Sequence, residues 1–160
     1  MMKIKIASVD SVIIYFSDEI SKETSLYVKN AYKVLKEKNN KALIEIIPSY
    51  SSILIVYNIF SYDFISISQY LQTALNNLIL EDIENKNIVN IDVYYGLEVA
   101  LDLKRVSKLS NLSIDDVITL HSSKIYDVYA MGFLPGFAYM ASVDGAIDIS
   151  RLETPRKKIP

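Results

Sequence analysis

The chain has no cysteine and no tryptophan, and it has one histidine among its 160 residues. Without cysteine it can form no disulfide, no thiolate nucleophile and no thiolate metal site. A zinc site would need mostly carboxylate ligands beside the single histidine, which is an uncommon ligand set. We therefore expect no metal in this chain, and the lack of cysteine suits a cytoplasmic protein.

An excess of one charge and long apolar runs are also lacking. The 17 Lys and Arg residues nearly balance the 19 Asp and Glu residues, for a net charge of −2, so no broad field attracts nucleic acid or anionic lipid. The longest apolar runs, such as 12–16 and 53–57, are far below the roughly 20 residues of a membrane-spanning helix. Asp10 interrupts the apolar stretch near the N-terminus before that stretch is long enough to serve as a signal peptide. We expect no nucleic-acid or membrane partner.

Apolar periodicity predicts the elements of the first half of the chain. They are strands 3–7 and 12–16, a helix from Ser21 to about residue 38, strands 43–47 and 53–57, a helix capped by Ser66, and a strand 88–95. From residue 12 the order is β-α-β-β-α-β, the split arrangement of a ferredoxin-like sandwich. The predicted class is α+β, with two helices on one face of an antiparallel sheet.

The second half begins with two short predicted helices, 103–109 and one that Ser113 opens and that ends near residue 120. Asp102 either caps the first helix or forms an acid pair with Glu98. A helix-turn-helix is disfavoured, because the second helix starts with two aspartates and has no Arg, Asn or Gln to contact bases.

The most distinctive stretch is 132–140, with the sequence GFLPGFAYM. Its two glycines and one proline predict a stiff, irregular loop. Three aromatic residues on such a loop suit a ligand pocket or a partner surface, but they are equally compatible with rings in a core. A histidine before a strand, here His121, is more often structural than catalytic, and the basic end of the chain is by itself a solvated tail.

The loop, together with His121 and the stretch 151–160, resembles one bacterial family. It comprises the B subunit of 5-oxoprolinase (PxpB), the kinase inhibitor KipI, and allophanate hydrolase subunit 1 with related carboxyltransferase domains (subdomains C and D). The matching positions are Gly132, Phe133, Pro135, Gly136, Phe137, Tyr139, Arg151, Leu152, Thr154, Pro155, Arg156 and Pro160. Leu97 and Ala100 replace two glycines of the family, which predicts a different or strained loop there.

The resemblance implies a ferredoxin-like domain in residues 1–95 and the start of a cyclophilin-like β-barrel in residues 96–160. About 65 residues are too few to close such a barrel, so we expect a truncated chain. It also implies site roles. His121 and Arg156 are expected to be catalytic, and the expected substrate-binding residues are Glu98, Phe133, Pro135, Phe137, Tyr139 and Arg151.

The implied function is that of a non-autonomous subunit of an ATP-dependent hydrolase that opens 5-oxo-L-proline to L-glutamate. The implied partners are a PxpC/KipA-like carboxyltransferase subunit and a PxpA-like lactam-utilisation protein. ATP is expected only at the level of the complex, because this chain has no nucleotide-binding loop. The alternatives are a KipI-like inhibitor of a sensor histidine kinase, and a subunit of an allophanate hydrolase or urea carboxylase.

Overall fold

A four-stranded antiparallel sheet and two helices organise the first part of the computed structural model, which describes residues 2–81 and 87–157. The strands are β1 (Lys3–Ser8), β2 (Ser11–Tyr15), β3 (Leu43–Pro48) and β4 (Ser52–Tyr57), in the order β1-β2-β4-β3. The helices are α1 (Lys22–Glu37) and α2 (Phe64–Leu75). The predicted α+β class with antiparallel sheets is confirmed.

Alternate residues of the two central strands form the core. Val12 pairs with Ile55 and Ile14 pairs with Ile53, and all four side chains are fully buried. A strand has a period of two, so the intervening Ile13 lies on the opposite face, where it is half-buried. The two helices complete this core with Val28, Ala31, Leu35, Ile67, Leu71 and Leu75.

The two helices differ in how well their starts were predicted. Ser21 caps α1 as expected, accepting a hydrogen bond from the Thr24 amide at 3.0 Å. The N-cap of α2 is Asp63, so the prediction of Ser66 is wrong. Asp63 accepts from the Ser66 amide at 2.7 Å, and the Ser66 hydroxyl accepts from the Asp63 amide at 3.0 Å. A carboxylate is the stronger partner for the positive helix end.

The predicted strand 88–95 is wrong, since none of these residues is in a strand. Apolar and polar residues do alternate in this segment, but Ile88, Ile91 and Val93 are all more than half exposed. In a ferredoxin-like sheet the last strand lies beside the first strand of the βαβ order. Here β1 already occupies that edge of β2 through an antiparallel hairpin.

The chain packs as two units, Met1–Lys86 with Tyr129–Tyr139 and Asn87–Val128 with Met140–Pro160. The second unit has a small core of its own around Leu103, Val117 and Ile147. Its elements are α3 (Leu103–Ser110), α4 (Ile114–Ser122) and a 3-10 helix (Gly145–Ile147). The strands β5 (Asp127–Met131) and β6 (Ala138–Ala141) pair as a two-stranded sheet, of which Tyr129–Tyr139 belong to the first unit. Both short helices were predicted within two residues. No described helix is long and apolar enough to cross a bilayer.

The central strands allow a direct test of the core. Ile55 is fully buried, whereas Ile44 on β3 is 61% exposed. We expect Ile55→Ala to lower the free energy of unfolding by about 2–5 kcal/mol, because it removes buried methyl groups and leaves a cavity. Ile44→Ala should change it by no more than about 0.5 kcal/mol. Urea denaturation measures both, and equal losses would contradict the assigned register.

Candidate functional site

The loop between β5 and β6 contains a type II turn, which explains its glycine and proline. The Phe137 amide donates to the Leu134 carbonyl at 3.0 Å, and Gly136 between them has φ 79°. A type II turn favours Pro at its second position, here Pro135, and needs positive φ at its third. The Gly132 amide donates to the Phe137 carbonyl at 3.1 Å and closes the loop.

Phe133 is held in a conformation that its side chain disfavours. Its φ is 67°, and the Leu134 amide donates across it to the Gly132 carbonyl at 2.8 Å. A bulky residue rarely occupies this region, and backbone strain of this kind is concentrated at functional sites. The Phe133 ring is 82% exposed. The loop therefore presents an aromatic side chain to solvent at a cost in backbone energy.

The aromatic residues of the loop extend into a row of five rings. Phe133 lies 5.7 Å from Phe137, and Phe137 lies 5.0 Å from Tyr139, both in edge-to-face geometry. Tyr50, from the turn between β3 and β4, lies 6.0 Å from Tyr139 and 5.8 Å from Tyr129. Such pairs contribute about 0.5–1.5 kcal/mol each beyond area burial. Tyr50 and Tyr129 were missed, because no local pattern brings them together.

In the second unit, Arg156 binds Asp102 through two parallel hydrogen bonds. Nη1 and Nη2 donate to the two carboxylate oxygens at 2.6 and 2.8 Å. These bonds lower the pKa of Asp102, and they raise that of Arg156. Asp102 stands at the N-cap of α3, but its side chain makes no capping bond. The predicted N-cap position is therefore confirmed, but the carboxylate binds Arg156 instead of the helix end because the guanidinium offers it two charged donors.

An open concavity of about 410 Å³ adjoins this ion pair. The Arg105 guanidinium donates to the Ser150 carbonyl at 2.8 Å, which fixes one wall. No described residue holds the guanidinium of Arg151 in a hydrogen bond or ion pair, and this side chain is exposed. The concavity is lined by Asp102, Arg105, Val106, Ile149, Ser150, Arg151, Leu152 and Pro155.

His121 lies near the end of α4 between two tyrosines. The Tyr95 hydroxyl is 2.5 Å from Nδ1, and the Tyr126 hydroxyl donates to the His121 carbonyl at 2.9 Å. The rings of Tyr95 and Tyr126 lie 5.8 and 5.6 Å from the imidazole. Burial, with Tyr95 and Asp144 nearby, raises the pKa of Tyr126, so its hydroxyl stays protonated. Tyr95 was missed because 26 residues separate it from His121.

Glu98 lies in the turn in which Leu97 and Ala100 replace two glycines of the family. It accepts a hydrogen bond from Tyr94 at 2.7 Å, which lowers the pKa of Glu98 and raises that of Tyr94. Leu97 and Ala100 are not among the residues with positive φ, so of the two outcomes predicted, a different or a strained loop, strain is not observed. The Ala100 amide donates to the Gly96 carbonyl at 2.8 Å, as in a helical turn.

The predicted site residues fall into two groups. Phe133, Pro135, Phe137 and Tyr139 belong to the first unit, and Glu98, His121, Arg151 and Arg156 belong to the second. Within the second group, Arg156 and Arg151 lie at or beside the concavity, whereas His121 and Glu98 have separate tyrosine partners. In residues 2–81 and 87–157, no three His, Asp or Glu side chains are grouped as metal ligands.

These features define an α+β protein with an exposed aromatic loop and an arginine-lined concavity. The chain belongs to the family described as carboxyltransferase domain, subdomain C and D, whose profile matches residues 2–160. The family predicted from the loop and the arginine motif is confirmed.

Three similar proteins illustrate this membership. The chain is 32% identical over 161 residues to the 5-oxoprolinase B subunit of Bacillus subtilis (strain 168), which aligns 94% of this chain with 67% of that protein. It is 34% identical over 107 residues to the 5-oxoprolinase B subunit of Haemophilus influenzae, over 67% of this chain and 50% of that one. The crystal structure of TTHA0988 matches with a TM-score of 0.75 at 27% identity, over 94% of this chain and 29% of that one.

The bidentate pair makes a prediction about titration. Replacing Arg156 with Gln removes both charged donors, so the pKa of Asp102 should rise toward its ordinary value of about 3.9. The ionised carboxylate stabilises the native fold above that ordinary pKa, and this contribution is lost as the pH falls through the lowered native value. Carboxyl-carbon NMR measures the change. Glu98, whose pKa depends on Tyr94, is the internal control and should not move.

The type II turn predicts unequal effects of two alanine substitutions. Gly136→Ala should lower the free energy of unfolding by about 1–2 kcal/mol, because an L side chain is disfavoured at positive φ. Gly145→Ala is the matched control, since its added Cβ meets nothing within 4 Å and it lacks a positive φ. Thermal unfolding distinguishes the variants. A Gly136→Ala chain as stable as Gly145→Ala would exclude the turn.

Proposed function

We propose that this chain is the B component of an ATP-dependent 5-oxoprolinase, which converts 5-oxo-L-proline to L-glutamate beside a carboxyltransferase-like partner. The observation that carries the proposal is the 32% identity to the Bacillus subtilis relative over 94% of this chain. The chain spans about two thirds of that relative and half of the Haemophilus influenzae one. The activity is therefore proposed for the whole protein in its complex.

The concavity of the second unit supports a carboxylate subsite. 5-Oxoproline is a small cyclic acid, and a planar guanidinium binds a carboxylate through two parallel hydrogen bonds. Arg156 is occupied by Asp102, and Arg105 by the Ser150 carbonyl. We assign the substrate carboxylate to Arg151, because its guanidinium has no partner among the described residues. In this proposal Arg156 supports the wall through Asp102.

The aromatic loop supports contact at a boundary with the partner subunit. Phe133 and Phe137 are 82% and 45% exposed, so two large rings remain in contact with water in this chain. Aromatic residues of this kind are enriched at the centre of protein interfaces. The positive φ of Phe133 strains the backbone, and strain of this kind persists in proteins where function requires it. We assign Phe133, Pro135, Phe137 and Tyr139 to a surface of the first unit that contacts the partner subunit.

The chemistry needs an activating group that this chain does not supply. Opening the lactam adds water oxygen to the carbonyl carbon, breaks the ring C–N bond and leaves the proton on the amine. ATP would supply the energy by phosphorylating the lactam oxygen with release of ADP, and the phosphoryl group would leave as inorganic phosphate after water has added. The described residues do not fit a nucleotide site: the chain lacks a glycine-rich phosphate loop. Arg105, which lines the concavity, and Arg156, which lies beside it, are already bound. We place ATP on the partner.

The carboxylate assignment is tested by replacing Arg151 with Gln in the full-length protein co-expressed with its partner subunits. Loss of a charge-assisted contact costs about 1.5–3 kcal/mol, which is a rise of about 10- to 100-fold in KM for 5-oxoproline with little change in kcat. Lys108→Gln is the matched control, since it removes an exposed cation of α3 that does not line the concavity.

Two results would contradict different parts of the proposal. No ATP-dependent formation of glutamate by the unaltered complex, with every subunit present, would reject the enzymatic function. Turnover with an unchanged KM in Arg151→Gln would leave the function standing and reject Arg151 as the group that binds the carboxylate.

A further inference from the structure

The single histidine of the chain has a partner that restricts its chemistry. Its Nδ1 faces the Tyr95 hydroxyl at 2.5 Å, and no described residue makes a hydrogen bond to Nε2. In a neutral imidazole one nitrogen donates and the other accepts, so the bond made by one nitrogen decides the role of the other.

The short distance favours the hydroxyl as the donor. Bonds donated by N–H groups to oxygen lie at about 2.7–3.2 Å, whereas bonds donated by hydroxyls are shorter. A phenol is also a far better donor than a neutral imidazole N–H, and an imidazole nitrogen is a better acceptor than a phenol oxygen. These preferences favour Tyr95 as the donor to Nδ1, an arrangement that leaves the imidazole proton on Nε2.

The surroundings hold this arrangement in place. The ring of Tyr95 meets the imidazole edge-on at an interplanar angle of 81°, and Tyr126 packs on it with its hydroxyl bound to the His121 carbonyl. The imidazole is half-buried in the second unit. Both its orientation and its backbone are thus fixed by tyrosines.

We propose that Tyr95 is a positioning residue that fixes His121 as a hydrogen-bond donor, with Nε2–H directed at a carboxylate or carbonyl oxygen of the substrate. This inference rests on the proposed function for the identity of the substrate, but the tautomer itself does not. His121 then stabilises charge on an oxygen and does not act as a general base.

The tautomer is measured by nitrogen-15 NMR of the labelled 160-residue chain above the pH at which imidazole titrates. With one histidine in the sequence, both ring signals belong to His121 without further assignment. We expect a protonated Nε2 and an unprotonated Nδ1. Tyr95→Phe keeps the ring and removes the hydroxyl, so the two shifts should move toward each other as the tautomers mix. Tyr94→Phe, whose hydroxyl binds Glu98, should change neither. A proton on Nδ1, or an unaltered spectrum in Tyr95→Phe, would overturn the inference.

The donor role is tested in the complete complex with 5-oxoproline and ATP. Gln can donate from its side-chain amide but cannot act as a base, so His121→Gln should keep activity within about 10-fold. His121→Ala should lose about 100-fold, the usual effect of removing one such donor. Equal, severe losses in both variants would refute the donor role. If the unaltered complex does not form glutamate, the proposed function fails, while the NMR result still decides the tautomer.

Discussion

The register between β2 and β4 is the constraint on which the first unit depends. It puts Val12, Ile14, Ile53 and Ile55 on the face that the two helices cover, and a slip of one residue would turn all four away from the core. The pairing of β3 with β4 on the other side of β4 places the turn that carries Tyr50. The row of aromatic rings at the loop is therefore positioned by burial in the core as well as by its own turn.

Local sequence patterns correctly predicted the features that depend on contacts between residues close together in the chain. Ser21 and Ser113 cap their helices because the bonds involved join residues three apart in the chain. The same patterns failed where a distant group competes. Residues 88–95 alternate like a strand, but β1 already pairs with the neighbouring edge of β2. Asp102 occupies a capping position, yet it binds Arg156, 54 residues further along the chain.

The loop shows the same limit within a single motif. Pro135 and Gly136 predict a turn, and their type II geometry follows from what each residue permits. No residue preference predicts Phe133 in the left-handed region, since an aromatic residue is among the least suited to it. Its conformation follows from the adjoining turn and from the hydrogen bond that closes the loop at Gly132. The composition of the motif therefore does not predict the direction of its most exposed ring.

The polar groups of the second unit limit what this chain can contribute to the proposed reaction. Asp102 neutralises Arg156, and both it and Glu98 have lowered pKa values, so neither carboxyl group stores a proton near neutral pH. In the roles proposed above, Arg151 and His121 donate hydrogen bonds to oxygen atoms of the substrate. Such groups hold a substrate by its oxygens and leave its carbonyl carbon open. In the proposed complex, the group that activates the attacking water would come from the partner subunit.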